Sequence, residues 1–171
     1  KRWRSTIAHG DDEFREVLGL FVEEIILPEL YAAGGTPNCE QCVVYQRTPT
    51  LRVHMPGPKA LGVAHIDYTY FRQPTEVNVW LPLTPVAGSN SLWSESAPGA
   101  RDFAPFEVDG FGEAVLFWGN QCEHYSLPNE TDVTRVSLDF RVVRADLFQE
   151  AYISPLDKKK LCRFQRGEKR S

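Results

Sequence analysis

The sequence predicts a mainly β protein, either a sandwich or a small barrel, with one helix in front of it. Only one segment near the start has helical periodicity, and from about residue 42 the chain turns into short β-rich runs. These runs are CVVYQR, TLRVHM, EVNVWLPL, NSLWSES, EAVLFWG and TRVSLDFRVV, and they are separated by MPGPK, VAGSN, APGA, VDGFG and LPNETD. Many short strands after a single helix favour this class over alternating βαβ units.

The predicted helix spans residues 11–27. Its apolar residues follow the i, i+3, i+4, i+7 spacing of one helical face: Phe14, Val17, Leu18, Phe21, Val22, Ile25 and Ile26. The acidic residues of its first turn suit the positive end of the helix dipole, and Pro28 predicts its end. We expect this helix to cover an apolar surface and to take no part in chemistry.

Length and composition predict one domain over residues 1–171, with a basic tail at 156–171. The net charge of −4 argues against a nucleic-acid or membrane-surface partner for the chain as a whole. No apolar run reaches the roughly 18 residues of a membrane span and no secretory signal opens the chain, so a cytoplasmic protein is expected. Cys39 and Cys42 have the CxxC spacing of a zinc or redox site, but ordinary thiols are favoured because no second pair completes it. The basic tail is expected to be exposed to solvent; the alternative is that it binds a specific anionic partner.

The last predicted strand, TRVSLDFRVV, alternates strictly between apolar and polar residues. Its polar face carries Arg135, Ser137, Asp139 and Arg141, and its other face carries only apolar residues. The apolar face must be covered by the helix or by a second sheet. The polar face is either solvated or part of a functional site.

The segment AHIDYTYF places His65 and Asp67 on one face of a strand, where together they form part of a binding site for a divalent transition metal. His124, which follows the run EAVLFWG, is the best candidate for a third ligand. Two histidines and one carboxylate form the facial triad of non-heme iron(II) oxygenases, which leaves open coordination positions. A structural zinc site would need four closed ligands.

The order and spacing of these residues along the chain make the prediction of a metal site more specific. His65-x-Asp67 is followed by 56 residues, then His124, then ten more, then Arg135-x-Ser137. In this pattern the chain resembles the Fe(II)/2-oxoglutarate-dependent oxygenases, with the closest likeness to their streptomycin-biosynthesis-type and phytanoyl-CoA-hydroxylase-like branches. The likeness is carried by HIDY, VNVWLPLT, NSLWSES and GNQCEHYSLPNETDVTRVSLDFRV.

The resemblance implies a double-stranded β-helix, that is a cupin-like jelly roll, with its catalytic β core at about 42–143 and the N-terminal helix outside. It implies that His65, Asp67 and His124 hold Fe(II). It also implies that Arg135, helped by Ser137, binds the distal carboxylate of the cosubstrate 2-oxoglutarate, a task that suits a planar guanidinium. Dioxygen is the other cosubstrate.

Several assignments stay open at this point. Arg141 is the alternative anchor for 2-oxoglutarate, although Asp139 could neutralise either arginine. Asn78 could hydrogen-bond the cosubstrate or be an internally satisfied amide. Because related halogenases lack the carboxylate ligand, the presence of Asp67 favours hydroxylation.

Weaker candidates surround this set. Trp80 and Trp93 line the substrate pocket or belong to the core, and Tyr68 and Tyr70 bind substrate or support a ligand. Tyr45 and Arg52 are weaker candidates for the pocket, and His54 is a weak candidate to replace one of the metal ligands. His9 is expected at the surface, and Cys122 is expected to pack in the interior.

The function expected is hydroxylation of a small molecule, a metabolite or natural product. The alternatives are a cupin-like isomerase or epimerase that never uses 2-oxoglutarate, and a non-catalytic binding module. Relatives also act on protein and nucleic acid, but the acidic balance of the chain gives no support for nucleic acid.

Overall fold

A computed structural model describes residues 2–32, 42–109, 112–149 and 164–166, with backbone alone for 2–11 and 164–166. The chain divides into two compact units. The first contains the described parts of 1–48, 143–148 and 162–171, and the second those of 49–142 and 149–161. Cys39 and most of the predicted basic tail lie outside the described residues, and the single-domain organisation stays a prediction.

The helical segment of the first unit is longer than the periodicity predicts. Helix α1 spans Arg2–Phe21, a π-helical turn spans Val22–Ile26, and helix α2 spans Leu27–Ala32. The prediction that Pro28 ends the helix is therefore wrong. Proline lacks the N–H that an α-helical turn needs, and here the wider π turn, in which the Leu27 N–H bonds to the Val22 carbonyl, precedes it.

The predicted seven-residue apolar face of this helix is narrower in the structure. Leu18, Val22 and Ile26 are buried, whereas Phe14, Val17 and Ile25 are exposed. The π turn inserts an extra residue, so the 3.6-residue spacing does not hold at Ile25, which lies within it. Phe14 and Val17 precede the turn, and their exposure shows that the buried stripe is narrower than the apolar one. In the same unit, strand β1 (Val43–Gln46) pairs antiparallel with a C-terminal strand at Phe164–Arg166.

The second unit contains the main antiparallel sheet. Its strands are β2 (Thr50–His54), β4 (Val77–Pro82), β7 (Val115–Phe117) and β10 (Arg135–Arg144, up to Val142 in this unit). Their order is β2-β10-β4-β7, which puts β10 between β2 and β4. Trp80 of β4 forms a core cluster with Val86 and Val108.

Two smaller antiparallel sheets complete the unit. Strand β3 (Gly57–Ala60) pairs with β9 (Pro128–Asn129), and β5 (Leu92–Ser94) lies between β6 (Ala104–Pro105) and β8 (His124–Ser126). The fold is a mainly β jelly roll with an N-terminal helix, as predicted. Strands β3, β6, β8 and β9 lie outside the predicted β-rich runs; β3, β6 and β9 contain Gly or Pro, and each of the four is held by its partner strand.

The polar face of β10 is buried, which excludes the alternative of a solvated outer face. Arg135, Ser137, Asp139 and Arg141 are 1%, 0%, 8% and 7% exposed. On the opposite face Phe140 and Val142 are fully buried, but Val136 and Leu138 are only half-buried. No helix among the described residues is both long and apolar enough to span a membrane.

Candidate metal centre

Backbone pairing brings the His65 segment beside strand β8. The His65 N–H donates to the His124 carbonyl (3.1 Å), and the His124 N–H donates to the His65 carbonyl (3.0 Å). Asp67 is held from the other side, because its N–H donates to the Gly119 carbonyl at 2.9 Å. The two histidines are thus direct backbone partners. The prediction that His65 and Asp67 share one face of a strand is wrong, because His65 lies in an isolated bridge and Asp67 begins a 3₁₀ turn, Asp67–Tyr70.

The three side chains converge on a common point. The Asp67 Oδ1 atom lies 3.5 Å from Nε2 of His65 and 3.8 Å from Nε2 of His124. One donor atom from each residue lies within 4.8 Å of the others. Two imidazole nitrogens and one carboxylate oxygen at this spacing fit a single divalent transition metal.

The orientation of both rings favours metal binding. Nδ1 of His65 lies 2.7 Å from the Val63 carbonyl, and Nδ1 of His124 lies 3.0 Å from the Cys122 carbonyl. A carbonyl oxygen only accepts, so each Nδ1 must carry the proton and donate it. Each Nε2 therefore faces the centre and offers its lone pair there when the imidazole is neutral, which is how histidine ligands are commonly held.

Asp67 is ionised at its buried position. Burial by itself would raise its pKa, but the hydrogen bond with His65, the charge of Arg141 and the amide of Asn78 together lower the pKa far below its usual range. The hydrogen bond to Asp67 also raises the pKa of His65, whereas burial lowers the pKa of His124. The site thus offers a fixed negative charge and at least one neutral imidazole, as a cation requires.

A cleft adjoins this cluster. Its walls include both histidines, Asn78, Trp80, Arg135 and Arg141. Arg135 donates to the Asn90 carbonyl at 2.7 Å and lies 5.6 Å from the centre of the Trp80 ring, but it has no carboxylate partner among the described residues. Its Nε and the Ser137 Oγ have no hydrogen-bond partner in that part of the chain. A buried cation with free donors beside a free hydroxyl is suited to an anionic group.

Arg141, the alternative anchor, has different surroundings. Its Nη2 donates to Asp67 Oδ2 and its Nη1 donates to Asp139 Oδ1, both at 2.8 Å. Burial alone would lower its pKa, but the charges of Asp139 and Asp67 raise it above the ordinary value for arginine. The two arginines of this strand face therefore differ sharply in the charge that surrounds them.

The other predicted site residues are spread more widely. Asn78 donates to Asp67 Oδ2 at 2.9 Å, and Tyr70 packs edge-on against His65 with ring centres 5.3 Å apart. Trp80 is both a core residue and part of the cleft wall. Tyr68 is exposed, and Trp93 stacks on Tyr125, which lines the cleft.

The lower-ranked candidates also have clear positions. Arg52 lines the cleft and pairs with Asp139, and His54 is buried opposite Arg135 on the neighbouring strand. Cys122 is a buried free thiol. Tyr45 belongs to the first unit, where its hydroxyl lies near Gly19.

Two residues of the site carry no signal in the sequence. Glu76 is buried, with Arg72, Arg141 and Asp67 among the charges that act on its carboxyl. Gly119 supplies the carbonyl that holds the Asp67 N–H. Glu76 is the first residue of the predicted run EVNVWLPL and Gly119 the last residue of EAVLFWG, so only the fold reveals their positions.

The chain resembles known proteins in sequence and in fold, but these comparisons do not assign it to a family. Over 101 residues it is 38% identical to the streptomycin biosynthesis protein StrG of Streptomyces griseus, covering 59% of this chain and 47% of that protein. The chain thus spans about half the length of the curated relative it matches. No protein-family profile matches it.

Two solved structures of the non-heme monooxygenase ThoJ resemble the chain in fold. The nickel complex and the apo form superpose with a TM-score of 0.54 each, at 16% and 17% identity. Each match covers 70% of this chain and about half of the other chain, 49% and 51%. At such identities the likeness supports the jelly-roll fold and no more.

Proposed function

We propose that the protein is an Fe(II)- and 2-oxoglutarate-dependent oxygenase that hydroxylates a small molecule. The observation that carries the proposal is the convergence of His65, Asp67 and His124 on one point beside a buried guanidinium that lacks a carboxylate partner among the described residues. The first group suits the ion and the second suits the distal carboxylate of the cosubstrate.

The residues divide the work as follows. His65, Asp67 and His124 hold the ion on one side and leave the other side open, and Arg135 with Ser137 orients 2-oxoglutarate by its distal carboxylate. Bound iron supplies the activation of dioxygen, with oxidation of 2-oxoglutarate to succinate and carbon dioxide. The walls formed by Trp80 and Phe117 limit access of water to the reacting groups.

A natural product or related metabolite is the proposed substrate class. The name of the 38% identical relative places that protein in streptomycin biosynthesis. Retention of a carboxylate ligand at Asp67 favours hydroxylation.

The test is succinate formation from 2-oxoglutarate by the Fe(II)-loaded protein in air, across a panel of metabolites. We expect turnover that disappears in His124→Ala and falls at least about a hundredfold in Arg135→Gln, since a buried charge-assisted contact is worth roughly 3 kcal/mol. Arg15→Gln, a change of exposed charge on α1, is the matched control and should keep full activity.

Two results would contradict the proposal. If His124→Ala kept full turnover, the ligand assignment would be wrong. If the protein bound iron but released no succinate with any member of the panel, the oxygenase proposal would be wrong, and a cupin-like isomerase would become the favoured function.

A further inference from the structure

The two oxygens of Asp67 have different surroundings. Oδ1 faces the Nε2 atoms of both histidines. Oδ2 points away and accepts two hydrogen bonds, from Arg141 Nη2 at 2.8 Å and from Asn78 Nδ2 at 2.9 Å. Both donors are buried, so water does not compete for this oxygen.

The sheet register explains why these two donors meet. Arg141 of β10 lies directly opposite Asn78 of β4, so their side chains leave the same face as neighbours. The other end of the guanidinium is also fixed, because Arg141 Nη1 donates to Asp139 Oδ1. Asp139 in turn accepts two bonds from Arg52 through Oδ2, both at 3.2 Å.

The occupation of Oδ2 has a consequence for coordination. A carboxylate can bind a metal through one oxygen or through both. With two histidines, a one-oxygen aspartate leaves three positions of an octahedral ion open, whereas a two-oxygen aspartate leaves two. A keto acid that chelates through two atoms, together with one further small ligand, needs three.

We propose that Arg141, together with Asn78, is a positioning residue that keeps Asp67 a one-oxygen metal ligand and so keeps the third coordination position open. The inference rests on the proposed metal site. It gives Arg135 and Arg141 separate tasks: Arg135 is available to an anion, and the charge of Arg141 is committed to Asp67 and Asp139. Such supporting contacts typically change metal affinity by about 10- to 100-fold.

The test uses the purified chain with Co(II), whose visible absorption weakens as its coordination number rises and needs no turnover. Arg141→Gln should weaken Co(II) binding about 10- to 100-fold by calorimetric titration and change the absorption of the bound ion. Arg141→Lys, which keeps the charge but loses the planar pair of Nη donors that reach Asp67 and Asp139, should lie between it and the wild type. Arg135→Gln is the matched control. Its affinity for Co(II) should stay within about twofold of wild type, and the absorption spectrum of the bound ion should not change.

A second pair of variants guards against loss of folding. Arg141→Gln leaves two buried carboxylates without their main partner, so the double variant Arg141→Gln with Asp139→Asn removes one of those charges as well. Asn78→Ser removes the other donor without any change of charge. Both should fold by circular dichroism, with weaker Co(II) binding and the changed spectrum.

The outcomes separate the two proposals. If the wild type bound no Co(II), the metal site itself would be wrong, and the proposed function with it. If the wild type bound Co(II) but the folded Arg141 and Asn78 variants matched its affinity and spectrum, only the positioning role would fall. A lower melting temperature with an unchanged spectrum would also overturn it, because that result marks a purely structural contact.

Discussion

Glu76 is a buried acid at the start of β4, and its Oε2 has no hydrogen-bond partner among the described residues. Burial raises its pKa to about 7, even though the nearby charges of Arg72 and Arg141 act in the opposite direction. Its ordinary pKa is 4.5, so the folded protein holds a proton there that the unfolded chain releases. The stability contributed by this proton is present below about pH 4.5 and is lost as the pH rises towards 7.

This linkage predicts the effect of Glu76→Gln on the metal-free protein. The neutral amide does not titrate, so the variant should gain stability relative to wild type as the pH rises from 5 to 8, by up to roughly 3 kcal/mol. Urea unfolding at both pH values in the presence of a chelator measures the difference. A stability difference between variant and wild type that does not change with pH would show that the carboxyl is already ionised at pH 5.

At the scale of elements, the turn between β7 and β8 holds the metal segment in place. Gly119 lies in this turn, and its carbonyl accepts the Asp67 N–H. A Cβ at this position would lie 2.7 Å from the Phe117 ring and 2.8 Å from the Asn78 amide nitrogen. The close approach of the turn to β4 thus requires a residue without a side chain.

Gly119→Ala should therefore destabilise the protein by about 1–3 kcal/mol, the usual cost of inserting a methyl group into a packed site. It should also weaken Co(II) binding, because the displaced Asn78 amide supports Asp67. Gly62→Ala is the matched control: a Cβ there meets nothing within 4 Å, so stability should change by about 0.5 kcal/mol or less. Equal denaturation midpoints for the two variants would show that the turn is free to shift.

At the scale of the whole molecule, the proposed metal would link two segments far apart in the chain, at residues 65–67 and 124. A ligand that binds only the folded state at a hundred times its Kd stabilises it by about 2.7 kcal/mol. For a chain of this length that corresponds to a rise in Tm of about 5–10 °C.

Addition of Ni(II) or Co(II) should therefore raise the Tm of the wild type and leave that of His124→Ala unchanged, as measured by scanning calorimetry. The shift should shrink as the pH falls, because a protonated imidazole cannot bind a metal and the raised pKa of His65 lets the proton compete at higher pH. An equal rise for His124→Ala would indicate binding elsewhere on the protein.

Much of the fold could be predicted from the sequence, and the misses have physical causes. Strands β1, β2, β4, β5 and β7 lie within predicted runs and β10 extends one residue beyond its run, because β-branched and aromatic residues in alternation favour a pleated surface. Strands β3, β6, β8 and β9 lack that signal and depend on pairing with a partner strand. The π turn before Pro28 shifts the helical register, which no fixed period anticipates.

The sequence by itself determined which residues share a face. The two-residue period of a strand puts Arg135, Ser137, Asp139 and Arg141 on one side of β10. The spacing of His65 and Asp67 indicated the two ligands, although His65 lies in an isolated bridge and Asp67 begins a short 3₁₀ turn. Only the tertiary structure decided that this polar face is buried, that His65 and His124 pair through their backbones, and that Arg141 is neutralised while Arg135 is not. The reason is that Asp67 and Asn78 reach β10 through contacts between distant parts of the chain, and local periodicity carries no information about such contacts.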